Sequence, residues 1–116
     1  MSQPTELQLQ SSTFSVLANL AARAETAGVP GPAPQWRING DMVTGWIITA
    51  DGTAFTALDL WFRRIIGAGR FETRTEQYPD GPRRIWAIGT VIDGISIHLA
   101  ASVPASAAPR QQAVAA

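Results

Sequence analysis

The sequence predicts one α+β domain in which an antiparallel sheet of about five strands is covered by helices on one face. Two glycine turns, Asn39-Gly40 and Asp93-Gly94, follow the pattern of tight β-hairpins between strand-like stretches. Two other stretches, 11–27 and 53–66, repeat apolar residues with the period of an amphipathic helix. The predicted element order is therefore α-β-β-α-β-β-β.

Composition favours a folded protein and excludes several kinds of site. The chain has 116 residues, of which 46% are hydrophobic and 16% charged, as in globular domains. It has no cysteine, one histidine and no nucleotide-binding or zinc-binding motif, so we predict no metal, no cofactor and no catalytic residue. Its formal net charge of zero provides no long-range attraction to nucleic acid or anionic lipid.

The ends of the sequence differ from its middle. Residues 1–11 carry neither a basic nor an apolar signal segment, and no stretch approaches 18 apolar residues, so we expect a cytoplasmic protein without membrane contact. We predict a flexible N-terminus over 1–11, a domain over 12–103 and a disordered, Ala/Pro-rich tail over 104–116.

The first helix is predicted to begin with a cap at Ser12 or Thr13 and to end at Gly28, where a left-handed residue is typical. Its main apolar stripe is predicted to be Phe14, Leu17, Ala18 and Ala21, widened by Val16, Leu20 and Ala24.

The first hairpin has large apolar residues on both faces. If Asn39-Gly40 is its two-residue loop, Ile38 opposes Asp41, and Trp36 and Trp46 lie on opposite faces. Either both faces are covered, or one is an apolar patch that binds a partner. The candidates for an interface are Trp36, Met42, Trp46 and Ile48.

The second helix and the second hairpin are predicted to form most of the core. Ile92 opposes Ile95 across Asp93-Gly94, which gives this hairpin one nearly continuous apolar face. We predict that Phe55, Leu58, Phe62 and Ile65 pack on Ile88, Thr90, Ile97 and Leu99.

The other face of the second hairpin carries the only histidine, with His98 opposite Gly89. If 79–82 forms a four-residue loop, Glu72 also lies beside Gly89, close enough to contact His98 directly or through water. Glu72, Ser96 and His98 are therefore candidates for exposed polar pairing, for ligand contact or for a general-base site, although no oxyanion donors accompany them.

Six of the nine basic residues fall between positions 63 and 84, and all nine are arginine. Phosphate binding requires such groups to converge on one surface, whereas interleaved acids at Glu72, Glu76 and Asp80 are typical of a solvated, salt-bridged face. The nucleic-acid candidates are Arg63, Arg64, Arg70, Arg74, Arg83 and Arg84.

The chain resembles small uncharacterised proteins of actinobacteria and their phages. The resemblance lies in the layout, in the segment L-D-L-W-F of the second helix and in the closing hairpin G-T-V-I-D-G-I-S-I. The resemblance covers roughly residues 12–103 and implies the α+β layout but no activity.

The leading functional hypothesis is a non-catalytic binding or adaptor module that contacts a protein partner or a second copy, as a homodimer, through its sheet and its first hairpin. The alternative is a nucleic-acid-binding regulator from a mobile element that uses segment 63–84. An enzyme acting through Glu72, Ser96 and His98 is the third hypothesis.

Overall fold

The computed structural model describes residues 3, 5–67 and 69–108 and confirms an α+β fold with the predicted element order. The helices are α1 (Glu6–Ala27) and α2 (Thr53–Leu60), and α2 continues as a wider π-helical turn over Trp61–Ile66. The strands are β1 (Gln35–Asn39), β2 (Met42–Ile48), β3 (Arg70–Tyr78), β4 (Gly81–Ile92) and β5 (Ile95–Pro104).

The five strands form one sheet in the order β1-β2-β5-β4-β3. The sheet is mixed and not entirely antiparallel, because β2 pairs with β5 in parallel. Only local hairpin pairing can be recognised from turn residues, and β2 and β5 are joined by a long connection through α2, β3 and β4. Both helices lie on one face, as predicted.

The Asp93-Gly94 loop is confirmed, with Ile92 opposite Ile95, whereas the other two predicted registers shift by two residues without moving any side chain to the other face. In the first hairpin Asn39 pairs with Met42, so the tight loop is Gly40-Asp41 and Ile38 opposes Val43. Between β3 and β4, Tyr78 pairs with Gly81 and the loop is only Pro79-Asp80. Side chains alternate between faces with a period of two, so such a shift preserves the face and changes the row.

Helix α1 begins earlier than predicted, and residues 6–11 are helical instead of flexible. Thr5 accepts a hydrogen bond from the Gln8 backbone N–H, and the Gln8 side chain accepts one from Thr5 N–H, which forms a capping box. The main predicted stripe has the wrong phase, since Phe14 is 52% exposed, whereas Val16, Leu20 and Ala24, which were predicted to widen it, are buried. The buried residues of α1 are Thr13, Val16, Leu20 and Ala24.

The residues of α2 and its π-helical turn that face the sheet include small ones, which permits close packing. Ala54, Ala57, Leu58, Trp61 and Ile65 are buried, and Ile65 and Leu58 confirm half of the predicted set. The other two lie at the margin of the core.

At that margin, Phe55 packs against Trp86 with ring centroids 4.7 Å apart, and Phe62 stacks on Phe71 at 5.7 Å. Both phenylalanines are only partly buried against the core. The predicted sheet contacts at Ile88, Ile97 and Leu99 are buried in the same core.

The ordered chain extends past the predicted domain end at residue 103. Pro104 completes β5, and Ala105–Ala107 form one 3₁₀ turn, after which Ala108 packs against the core. The part of the predicted disordered tail over 109–116 lies outside the described residues.

No element among the described residues covers the second face of the sheet, which we call the open face. Directly paired residues share a face, so the open face carries Met42, Thr44, Trp46 and Ile48 of β2. Met42 is 47% and Ile48 is 54% exposed. The first hairpin is thus covered on one side only.

Replacement of Gly45 by alanine is expected to destabilise the protein by about 1–3 kcal/mol through overpacking. A Cβ atom at position 45 would lie 2.6 Å from Cζ3 of Trp36 and 2.9 Å from Cδ1 of Leu99. Trp36 has little freedom to move, because its ring also packs edge-on against Trp61 at 6.0 Å. Urea unfolding of the Gly45→Ala variant measures the effect.

Gly52→Ala is the matched control, since a Cβ there would meet only the Ala107 carbonyl oxygen at 3.6 Å, an ordinary contact. Equal unfolding free energies for the two variants would contradict the packing of Trp36 on Gly45.

Candidate functional site

A groove of about 760 Å³ runs across the open face. Its lining comes from β1, β2, β4, β5 and the end of β3, so the open face is concave. A volume of this size is typical of sites that hold a ligand. The lining residues are Gln35, Trp36, Arg37, Thr44, Trp46, Ile48, Tyr78, Asp80, Arg83 and Ser102.

The apolar part of the groove comes from β2 and from the sheet beneath it. Trp46 is half-buried, and Ile48 beside it is 54% exposed. Ile85 and Ala100 are already buried on this face, although no helix covers it. Their paired neighbours are larger, with Arg74 opposite Ile85 and Trp46 opposite Ala100. The open face thus combines buried residues with Ile48, which remains exposed to solvent.

Arg83 of β4 is held in the groove by three hydrogen bonds to neutral oxygens. Its Nε donates to Ser102 Oγ at 2.7 Å, and its Nη2 donates to the backbone carbonyls of Thr49 and Ser102 at 3.0 Å each. The side chain therefore reaches from β4 across β5 to the residue after β2. No carboxylate within the described part of the chain forms an ion pair with it.

A second polar group lies along β3, where alternate residues share the open face. Arg74 Nε donates to Glu76 Oε1, and Tyr78 Oη donates to Glu76 Oε2 at 2.8 Å. The hydrogen bond from Arg74, followed by that from Tyr78, lowers the pKa of the Glu76 carboxyl. The hydrogen bond to the Glu76 carboxylate raises the pKa of Tyr78. Both Glu76 oxygens thus accept hydrogen bonds from β3, and Arg83, directly opposite Glu76 on β4, forms no ion pair with it.

The structure divides the four interface candidates. Trp46 and Ile48 line the groove, and Met42 lies on the same face two rows further along β2 from Trp46. Trp36 also belongs to the groove lining, although its ring packs on the helix side, over Gly45 and against Trp61. Trp36 is therefore part of the margin of the core.

The three polar candidates share the open face but not the predicted row. Because the loop before β4 is shorter than predicted, Glu72 pairs with Ala87, and Arg70 takes the place beside Gly89. His98 leans over Gly89, where a Cβ would lie 3.3 Å from its Nδ1. The predicted row of Glu72, Gly89 and His98 is therefore wrong, and no hydrogen bond joins Glu72, Ser96 and His98.

The six candidate arginines do not converge. Arg63 pairs with Asp59 at 2.7 Å on the helix side, and Arg64 follows it. Arg84 also lies on the helix side of the sheet and donates to Thr75 Oγ1. The open face carries the other three, Arg70, Arg74 and Arg83.

Sequence reasoning did not single out several lining residues, among them Gln35, Arg37 and Thr44. A signal was present, because strand parity places Arg37 and Thr44 on the face of Trp46. Asp80 gave no such signal, since it lies in a loop whose length was predicted incorrectly.

A second cavity of about 540 Å³ lies between α2 and β3. Three phenylalanines line it, and its charged groups, Asp59 and Arg63, already pair with each other. It therefore offers an apolar pocket without an unpaired polar group.

Comparisons with known proteins find no relative of the chain. No protein-family model matches it, and no curated protein matches its sequence. Among the described residues, no three His, Cys, Asp or Glu side chains cluster as metal ligands. Neither described helix has the length and apolar content needed to cross a bilayer. The resemblance to actinobacterial and phage proteins and the cytoplasmic location stay predictions.

The titration of Tyr78 should report its bond to Glu76. The chain has one tyrosine, so the phenolate absorbance near 295 nm follows Tyr78 alone. Since its folded pKa is raised, the interaction stabilises the fold below the ordinary tyrosine pKa of about 10 and is lost as pH rises through the folded value. We expect a midpoint above about 10 that falls toward it in Glu76→Gln.

Glu72→Gln is the matched control, because Glu72 lies on the same strand and face without contacting Tyr78. Far-ultraviolet circular dichroism across the pH range checks that the fold persists. The same titration midpoint of Tyr78 in the wild type and in Glu76→Gln would contradict the hydrogen bond between Tyr78 and Glu76.

Proposed function

We propose that the chain is a non-catalytic binding module that holds a protein partner, or a second copy of itself, against the open face of its sheet. The observation that carries the proposal is the one-sided cover of the sheet. Helices bury one face, while Trp46 and Ile48 are adjacent apolar residues on the other, with Met42 beyond Thr44 on the same strand. Exposed apolar patches bordered by polar residues are typical of interaction surfaces.

The composition of the groove supports the same proposal. Tryptophan, tyrosine and arginine are the residue types that most often dominate binding energy at protein interfaces. Trp46, Tyr78 and Arg83 line one groove. The groove also has a rigid floor, since it rests on five hydrogen-bonded strands instead of loops.

The two other functions have less support from the geometry. Nucleic-acid binding through segment 63–84 would need its arginines on one surface, and they lie on both sides of the sheet. A general-base site would need contact among Glu72, Ser96 and His98, none of which lines the groove.

Site-specific photo-crosslinking tests the proposal. A benzophenone amino acid replaces Ile48 on the open face, and the protein is irradiated in its native cells. We expect covalent products from this position, because an interface on the open face places a partner within reach of it. A product of twice the chain's mass identifies a second copy, and any other discrete mass identifies a different protein.

Arg64 provides the matched control position, since it is exposed on the helix side. Products from Arg64 as abundant as those from Ile48 would show that the open face is not the interface. Absence of any product from Ile48, repeated at Met42, would overturn the proposal. Trp46→Ala should reduce the Ile48 product, with circular dichroism as the check on folding.

A further inference from the structure

The hydrogen bonds within the chain use only some of the donors of Arg83. Its Nε and Nη2 are bonded to neutral oxygens, and Nη1 keeps two N–H donors without a hydrogen-bond partner among the described residues. The side chain is half-buried, so its charge is partly removed from water without an ion pair, since Glu76 opposite it pairs with Arg74. Three hydrogen bonds fix the guanidinium in advance, which reduces the entropy lost when it binds an anion.

Arg37 adds a second unpaired cation to the same groove. It lies on β1, three strands from β4, and forms no ion pair or hydrogen bond within the described ranges. The only carboxylate in the lining is that of Asp80, which pairs with neither arginine. The groove therefore has an excess of positive charge, although the whole chain has none.

Apolar and positive groups are adjacent here, which restricts the chemistry of an occupant. Trp46 and Ile48 of β2 lie in the same groove as Arg37 and Arg83. We propose that the groove receives an acidic segment of a protein partner, with carboxylates on Arg83 and Arg37 and an apolar side chain against Trp46 and Ile48. This inference rests on the proposed function and adds the chemistry of the partner.

Charge complementarity favours an acidic protein segment over a nucleic acid. A phosphate backbone carries a charge at every nucleotide and is bound by a row of positive groups. On the open face Arg74 is neutralised by Glu76, so only two unpaired arginines line the groove. One or two carboxylates beside an apolar side chain match that arrangement.

The inference can be tested by selecting a random peptide library, displayed on phage, on the intact protein. We expect selected peptides to be rich in Asp and Glu next to a large apolar residue. The best peptide is then synthesised together with a copy in which Asn and Gln replace each Asp and Glu. Calorimetry should show roughly tenfold to hundredfold weaker binding for the neutral copy, as expected from losing hydrogen bonds between charged groups.

The same measurement on Arg37→Gln and Arg83→Gln should give a comparable loss, whereas Arg64→Gln on the helix side should leave binding unchanged. Arg83 also supports the fold through Ser102 and Thr49, so thermal unfolding accompanies each variant. If Arg83→Gln does not fold, Arg37→Gln decides the test, since Arg37 has no internal hydrogen bond.

Three results would overturn the inference. Selected peptides without acidic residues, with the Ile48 crosslinks intact, would leave the proposed function standing and remove the acidic partner. Failure to select any peptide whose binding depends on Arg37 or Arg83 would also overturn the inference of an acidic partner. Binding of a ten-nucleotide oligothymidylate that depends on the same arginines, without peptide binding, would favour a nucleic-acid partner.

Discussion

The parallel pairing of β2 with β5 is the constraint on which the rest of the structure depends. Parallel neighbours cannot be joined by a tight turn, so the chain must leave β2, cross the sheet and return. The segment of α2 and its π-helical turn makes that crossing on the face where Leu58, Trp61 and Ile65 become buried. α1 joins the same layer, where the Thr13 hydroxyl contacts the Gly40 carbonyl at 3.1 Å. With both helices used there, the other face stays open.

The sequence predicts which face of the sheet most strand residues lie on. It does not predict which residues stand opposite each other on neighbouring strands. Two of the three predicted registers were displaced by two residues, whereas the Asp93-Gly94 loop was predicted correctly. Strand parity is insensitive to a shift of two, so Trp46 and His98 were placed on the correct face. Rows depend on the loop conformation itself. Pro79-Asp80-Gly81-Pro82 suits either loop length, and the shorter one brings Arg70 in place of Glu72 to Gly89. Parallel pairing is a long-range contact that no turn residue indicates.

The helix phases show a second limit of sequence reasoning. In α1, apolar residues surround more than half of the helix, so a stripe centred on Phe14 is as regular as one centred on Val16. The fold buries the stripe that contains Thr13 and Ala24 and leaves the larger Phe14 exposed, with the π-helical turn as the closest neighbour of α1. α2 follows the same rule, with Ala54 and Ala57 against the sheet and Phe62 at its margin.

An open apolar face is a risk of aggregation unless its edges are protected, and charged residues protect the edge at β3. The long edge strand β3 alternates Arg70, Glu72, Arg74 and Glu76 along its open face, which discourages pairing with another strand. The apolar pair of Trp46 and Ile48 has no such protection. The arginine fixed beside it supports the fold through its hydrogen bonds to neutral oxygens, but the partial burial of its charge without an ion pair opposes folding. That arrangement is understandable where a bound partner supplies the missing carboxylate, so the apolar pair and Arg83 are best explained together, as two parts of one surface.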